Sequence, residues 1–289
     1  MPAPEEVIRK IAEARPALQV EQQIGAPGGQ KWVHRARDSD FGPCCLKVVQ
    51  SGEPEDQARL DRELLVLYET SDCPYLPRLL FTSDEPAIVE HAAYPWYIEE
   101  LLIGQTVSEM IGEPWEEVDA LRLIRDVTIA IDALWSLGVV HRDIKPQNIF
   151  CADRGFVLLD PGCARHQTLE SLTRVWFPPG PGTPGYHGPD QFIFKSDKLD
   201  ARSDIFLLGI VAFEGLTGVH PFWREETRAN YPNNMTEGPT VALEQFGIHL
   251  SGSIKNLLSL MLAPRRYGRP RTPKRLLALV TEMLNQRGH

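Results

Sequence analysis

The chain of 289 residues is 43% hydrophobic and 24% charged, a composition typical of a folded globular protein, which excludes a largely disordered one. Its formal net charge of −9 argues against nucleic-acid binding, because phosphate contacts require a clustered basic surface. The longest uncharged apolar run, Ile205–Phe213, is much shorter than a membrane span, and the acidic N-terminus lacks the apolar core of a signal peptide. These features predict a cytoplasmic protein without a membrane span.

The secondary-structure pattern changes along the chain from strand-rich to helix-rich. After a short helical pattern in the first twenty residues, alternating segments from Leu18 to Val49 predict antiparallel hairpins. Residues 54–70 predict one helix, with Leu60, Leu64, Leu67 and Tyr68 on a shared apolar face. Beyond residue 102, apolar periodicity predicts helices at about 117–138, 203–217, 252–262 and 272–285. A small strand-rich part therefore precedes a larger helical part.

A polar octapeptide, HRDIKPQN at residues 141–148, lies between two apolar segments and is followed by DPG at 160–162. By itself the octapeptide could be a polar surface turn. Other motifs accompany it in a fixed order, however: CLK ending at Lys47, then GTPGYHGPDQ, DARSDIFLLGIVAFEGLTG and YGRP. Over about residues 20–285, this series resembles the eukaryotic-type (Hanks-type) serine/threonine protein kinases.

The resemblance implies an α+β, bilobal protein-kinase-like fold, with a small antiparallel-sheet lobe that contains one helix and a larger, mainly helical lobe. The implied division is an N-terminal extension at 1–19, the small lobe at 20–100 and the large lobe at 101–289. The implied activity is transfer of the γ-phosphoryl group of ATP to a Ser or Thr hydroxyl of a protein, autophosphorylation included. ATP and Mg²⁺, with Mn²⁺ as an alternative ion, are the implied cofactors.

The family pattern also implies a role for each catalytic position. Lys47 on a strand would contact the α and β phosphates of ATP while Glu63 on the helix holds its ammonium group. Asp143 would accept or orient the proton of the substrate hydroxyl. Lys145 would steady the transferring phosphoryl group, and Thr183 would brace Asp143 and Lys145.

Metal and nucleotide would bind through a second set of residues. Asn148 and Asp160 would hold the metal ions, because hard oxygen ligands suit magnesium. The glycines of the loop IGAPGGQKWV would let backbone N–H groups approach the phosphates; these are Gly25, Gly28 and Gly29. Adenine would contact the backbone of Glu100 and Leu102 and the side chains of Val33, Cys45 and Phe150.

Several further residues have structural roles in the family. His141 would pack into the core and bond to the backbone, so it is not expected to be catalytic. Asp204 would anchor the backbone of the catalytic loop, and Asp190 would form a buried pair with Arg269. Arg142 would bind either a carboxylate or a phosphorylated residue. The candidate phosphate acceptors are Thr168, Ser171 and Thr173.

The sequence departs from the family pattern at four positions. Lys31 stands where the third glycine is expected, and we interpret it as an exposed lysine. Pro161 replaces an aromatic residue next to Asp160, which predicts altered switching rather than lost chemistry. Glu99 occupies a position that is usually apolar, so it needs a local hydrogen-bonding partner. In GPD, Asp190 is one methylene shorter than the usual glutamate.

Two other functions remain open at the level of the sequence. A pseudokinase would use the same fold as a binding or scaffolding module without phosphoryl transfer, and the altered glycine loop favours it. A kinase-fold nucleotidyl transferase, or an enzyme that phosphorylates a small molecule, would keep catalysis but change the acceptor. The complete set of catalytic charges favours a protein kinase.

Overall fold

The computed structural model describes residues 5–24, 31–50, 54–161, 165–166, 185–193, 199–223 and 231–288. The chain divides into two compact units, Met1–Asp72 with Pro77–Ile103, and Cys73–Leu76 with Gly104–His289. The first unit is built on an antiparallel sheet and the second mainly on helices, which confirms the predicted α+β class. The lobe boundaries at residues 20 and 101 remain predictions.

An antiparallel sheet forms the centre of the first unit. Its strands and the adjoining hairpin are β1 (Leu18–Ile24), β2 (Lys31–Asp38), β3 (Gly42–Val49), β4 (Leu79–Thr82), β5 (Ala87–Val89), β6 (Ala92–Tyr94) and β7 (Trp96–Glu100). Five of these strands form the sheet in the order β1-β2-β3-β7-β4, and β5 pairs with β6 as a separate hairpin. The strands β2, β3 and β7 pair without interruption, so their side chains alternate in register between the two faces of the sheet.

A helix covers each face of this sheet. Helix α1 (Glu5–Ala14) buries Val7 and Ile11, one turn apart, in an apolar cluster that includes residues of β2, β3 and β7. Helix α2 (Pro54–Glu69) covers the other face, where Leu60 and Leu67 pack with residues of β3 and β7. Tyr68, predicted on the same helical face as these leucines, is 69% exposed. That prediction is wrong because Tyr68 is rotated about 100° around the helix from Leu67.

The second unit contains the short strand β8 (Gly104–Thr106) and helices α3 to α10. Their bounds are α3 (Val107–Met110), α4 (Glu117–Ser136), α5 (Pro189–Ile193), α6 (Ala201–Thr217), α7 (Tyr231–Glu237), α8 (Thr240–Phe246), α9 (Gly252–Met261) and α10 (Pro273–Asn285). All four helices predicted for this part are present, with ends within two residues of the predicted ones. Helix α6 is buried on every side, as expected of a helix that is apolar all round. Among the helices described, none combines the length and the apolar character needed to cross a membrane.

Candidate active site

The octapeptide at 141–148 connects two strands of the second unit. It follows β9 (Val139–Val140), ends in a 3₁₀ turn at Pro146–Asn148, and leads into β10 (Ile149–Ala152). The hairpin of β10 with β11 (Gly155–Leu158) pairs Ile149 with Leu158. The residues that flank this pair also contact each other, because the N–H of Leu159 donates to the carbonyl of Asn148 at 2.8 Å. Asn148 and Asp160, the two predicted metal ligands, therefore lie at the same end of this hairpin.

Asp143 lies at the centre of a compact polar cluster. Lys145 Nζ donates to both oxygens of its carboxylate, at 3.1 and 2.9 Å. Asn148 Nδ2 donates to the same carboxylate at 2.8 Å and to the backbone carbonyl of Asp143 at 2.9 Å. The side chain of Asp143 is 22% exposed, so solvent reaches it although its orientation is fixed. A positioned and accessible carboxylate of this kind is suited to accept a proton.

A buried carboxylate fixes the backbone before this cluster. Asp204, in the first turn of α6, is fully buried and accepts the N–H groups of His141 and Arg142 at 2.9 and 2.8 Å. Burial raises the pKa of Asp204, and the two backbone N–H groups act in the opposite direction. Arg142 has a φ of 72°, an uncommon conformation for a residue other than glycine. The predicted anchoring of the loop by Asp204 is confirmed.

Among the described residues, the imidazole of His141 bonds to two backbone groups. Its Nε2–H donates to the carbonyl of Leu159 at 3.0 Å, and its Nδ1 accepts the N–H of Asp143 at 3.3 Å. Together these bonds define the neutral tautomer with the proton on Nε2. His141 is fully buried, so its predicted structural role is confirmed.

Asn148 and Asp160 carry oxygen atoms of the kind that magnesium prefers as ligands. Both hydrogen bonds of the Asn148 side chain use Nδ2, and Oδ1 accepts no hydrogen bond from the residues that the structure describes. Asp160 has a φ of 52°, an uncommon conformation for a residue other than glycine and one that the following Pro161 disfavours. An amide oxygen and a carboxylate at the same end of one hairpin are ligand types that suit a hard divalent cation such as Mg²⁺.

The predicted pair of Asp190 and Arg269 is also confirmed. Arg269 Nη1 lies 2.5 Å from Asp190 Oδ2, and the guanidinium group is fully buried. Ser203 Oγ donates to the same oxygen at 3.0 Å. Burial lowers the pKa of Arg269, but each of its three guanidinium nitrogens donates a hydrogen bond. Its other acceptors are the carbonyls of Arg202, Ala263 and Pro264.

In the first unit the predicted Lys47–Glu63 pair does not form. Lys47 Nζ lies 2.8 Å from Glu99 Oε2, and Glu63 accepts Lys31 Nζ and the hydroxyl of Tyr97 through one oxygen. Glu99 thus has the local partner that we expected. Lys31, expected to be exposed, has a side chain only 16% exposed, so that interpretation is wrong. The cause is the strand register, which directs Lys31 to the face covered by α2.

The predicted adenine-binding residues are divided between the two units. Val33 is the cross-strand neighbour of Lys47, and Cys45 precedes Lys47 by two residues on the same face of the sheet. The N–H of Glu100 already donates to the carbonyl of Arg78. Adenine would therefore have to contact the backbone carbonyl of Glu100. Leu102 follows β7 in the first unit, whereas Phe150 lies on β10 in the second. A joint adenine site remains a prediction.

The remaining predicted residues lie outside the part of the chain that the structure describes. They are Gly25, Gly28, Gly29 and Thr183, with the phosphate acceptors Thr168, Ser171 and Thr173. Conversely, sequence reasoning overlooked Lys31 and Tyr97 as partners of Glu63. Alternation along β7 places Tyr97 on the same face as Glu99, and this signal could have identified it.

Comparison with known proteins agrees with this geometry. The family model described as a protein kinase domain matches residues 18–286. A probable serine/threonine-protein kinase PknB of Lactococcus lactis is 30% identical over 70% of this chain and 31% of its own length. The kinase pkn3 of Myxococcus xanthus is 31% identical over 76% of this chain and 41% of its own. The DNA damage-responsive serine/threonine-protein kinase RqkA of Deinococcus radiodurans is 29% identical over 85% of this chain and 36% of its own length. The chain spans less than half the length of these curated relatives.

Proposed function

The chain belongs to the protein kinase family, and we propose that it transfers the γ-phosphoryl group of ATP to a serine or threonine hydroxyl of a protein. The observation that carries this proposal is the cluster of Asp143, Lys145 and Asn148, held in place by Asp204. A scaffold has no physical need for an accessible carboxylate fixed by a lysine and an asparagine. The names of the relatives support serine and threonine as acceptors.

In the reaction, Asp143 orients the acceptor hydroxyl and takes its proton as the oxygen attacks the γ-phosphorus. Lys145 contacts the same carboxylate and supplies positive charge beside the transferring group. The γ-phosphoryl group leaves ADP and forms a phosphoester with the acceptor oxygen. Asn148 and Asp160 would hold Mg²⁺, which when bound neutralises phosphate charge. Mn²⁺ would satisfy the same oxygen ligands.

The nucleotide would bind through residues of the first unit. Lys47 supplies the positive charge for the phosphates, and Val33 and Cys45, beside it on the sheet, provide apolar contacts for adenine. Leu102 and the carbonyl of Glu100 would bind the edge of the base. Gly25, Gly28 and Gly29 would cover the phosphates, and Thr183 would brace Asp143. The cytoplasmic location stays a prediction from the sequence.

Transfer of label from γ-labelled ATP, with Mg²⁺ and a generic protein acceptor such as casein, tests this proposal. We expect Asp143→Asn to lower the rate by about 10²-fold to 10⁴-fold, because a positioned base contributes that much. Asp153→Asn is the matched control, since this exposed aspartate lies in the turn between β10 and β11 and should leave the rate unchanged. Phosphoamino-acid analysis of the product should show phosphoserine or phosphothreonine.

Three results would contradict the proposal. Nucleotide binding without transfer by the parent protein would indicate a pseudokinase. Incorporation of label from the α position would indicate nucleotidyl transfer. Equal rates for the parent and the Asp143→Asn variant, with both folded, would exclude the assigned base.

A further inference from the structure

Two ion pairs share a single tyrosine on the face of the first unit's sheet that α2 covers. Lys31 binds Glu63, and Lys47 binds Glu99 at 2.8 Å. The fully buried Tyr97 lies among them, and its hydroxyl donates to Glu63 at 2.8 Å. The ammonium groups of Lys31 and Lys47 lie 5.5 and 6.0 Å from the centre of its ring. We name these five residues the charge network.

Strand pairing accounts for this convergence. Lys47 is directly opposite Tyr97 in the β3–β7 ladder, and Glu99 follows Tyr97 by two residues, on the same face. On β2, Val33 is paired with Lys47 and so lies on this face. Lys31 is two residues from Val33 and therefore lies on the same face. Only Glu63 comes from the helix. The Lys31–Glu63 pair is therefore the ionic link between the sheet and α2 within the charge network.

The balance of charge explains why the partners differ from the family pattern. The side chains of Glu63 and Glu99 are 1% and 4% exposed, and an ionised carboxylate at this depth is costly to leave without a cationic partner. Glu99 adds one negative charge at a position that is usually apolar. Lys31 adds one positive charge at a position where glycine is expected. The two departures from the pattern compensate each other, because the charge network then holds two positive and two negative charges.

We propose that Lys31 is a positioning residue for phosphoryl transfer, which holds α2 on the sheet through Glu63, while Glu99 orients Lys47. This inference rests on the proposed kinase function and assigns the two lysines separate tasks. Lys47 keeps the contact with nucleotide, and Lys31 takes over the contact with the helix. The alternative is a latch, in which the Lys31–Glu63 bond must break so that Glu63 can reach Lys47. If Glu63 moved to Lys47, the two buried carboxylates of Glu63 and Glu99 would share one ammonium group. This cost argues against the latch.

The two possibilities predict opposite effects of Lys31→Met on the rate of transfer. If Lys31 positions α2, the variant should lose at least about tenfold in kcat/KM, because the buried carboxylate of Glu63 loses its cationic partner. Glu63→Gln should lose a similar factor, and the double variant should lose no more than either single one. Lys31→Arg should retain more activity than Lys31→Met. An increase in the rate of Lys31→Met would overturn the proposal in favour of the latch, and an unchanged rate would overturn both.

A suppressor variant separates positioning from simple loss of stability. Glu99→Gln removes the excess negative charge left by Lys31→Met and allows Lys47 to pair with Glu63. The double variant Lys31→Met with Glu99→Gln should therefore recover at least about half of the loss in log kcat/KM. Failure of Glu99→Gln to rescue would contradict the compensation. Arg35→Met is the matched control, because Arg35 lies on the same strand in an exposed pair with Glu21 and should change the rate less than about twofold.

Thermal unfolding of the same variants distinguishes failure of this proposal from failure of the kinase assignment. If the parent protein transfers no phosphate, the kinase function fails, but the charge network is still tested. The melting temperature of Lys31→Met should then fall and be partly restored by Glu99→Gln. Equal melting temperatures for Lys31→Met and the parent would refute the network independently of catalysis.

Discussion

Replacing Glu214 with glutamine should change how the stability of the second unit depends on pH. Glu214 lies on α6, is 9% exposed and accepts the hydroxyl of Tyr186. Burial raises the pKa of this carboxyl from 4.5 to about 7. His220 lies in the same cluster, edge-on to the ring of Tyr186, and burial lowers the pKa of its imidazole from 6.5 to about 4.

The two groups affect stability with opposite signs. Between pH 4.5 and about 7 the folded protein keeps a proton on Glu214 that the unfolded chain releases, so stability falls as pH rises through this range. Between pH 6.5 and about 4 the unfolded chain protonates His220 while the folded protein does not, so stability falls as pH decreases. Over its pH range, each of the two pKa shifts changes the free energy of unfolding by about 3 kcal/mol. In the parent protein the two slopes largely cancel between pH 4.5 and 6.5.

The Glu214→Gln variant keeps only the histidine slope. Relative to the parent, its free energy of unfolding should rise by about 3 kcal/mol from pH 4.5 to pH 7.5. Urea unfolding at half-unit pH intervals measures this difference. Glu244→Gln, which removes an exposed carboxylate from α8, is the control. A constant difference between Glu214→Gln and the parent over this pH range would refute the reasoning.

Two further substitutions test the packing around the site. Arg269→Met leaves Asp190 buried without its ion-pair partner and should cost about 3–5 kcal/mol in urea unfolding; a cost below about 1 kcal/mol would contradict the assigned burial. Gly215→Ala places a methyl group 2.6 Å from the ring of Trp115 and should lower stability by about 1–3 kcal/mol. Gly252→Ala meets no atom within 4 Å and should show no such loss in the same measurement, and equal results for the two alanine variants would count against the predicted clash.

Local patterns in the sequence were sufficient for much of the secondary structure and for the proximity of three residues in the catalytic loop. The four helices of the second unit follow from apolar periodicity, which depends on neighbours within a few turns. Asp143, Lys145 and Asn148 are close in sequence, so a single turn brings them together. The bonds of Asp204 to the loop join residues more than sixty positions apart. That link followed from resemblance to a family and not from any local pattern.

The sequence by itself determined which charged residues the protein contains and the order in which its strands and helices follow. Only the tertiary structure decided which lysine pairs with which glutamate. Lys31 and Glu63 are 32 positions apart, and Lys47 and Glu99 are farther still. A carboxylate binds the ammonium group that lies within about 3 Å, and that distance depends on strand register and on where α2 packs. No periodicity in the sequence encodes either quantity, because both are set by contacts between segments that are remote along the chain.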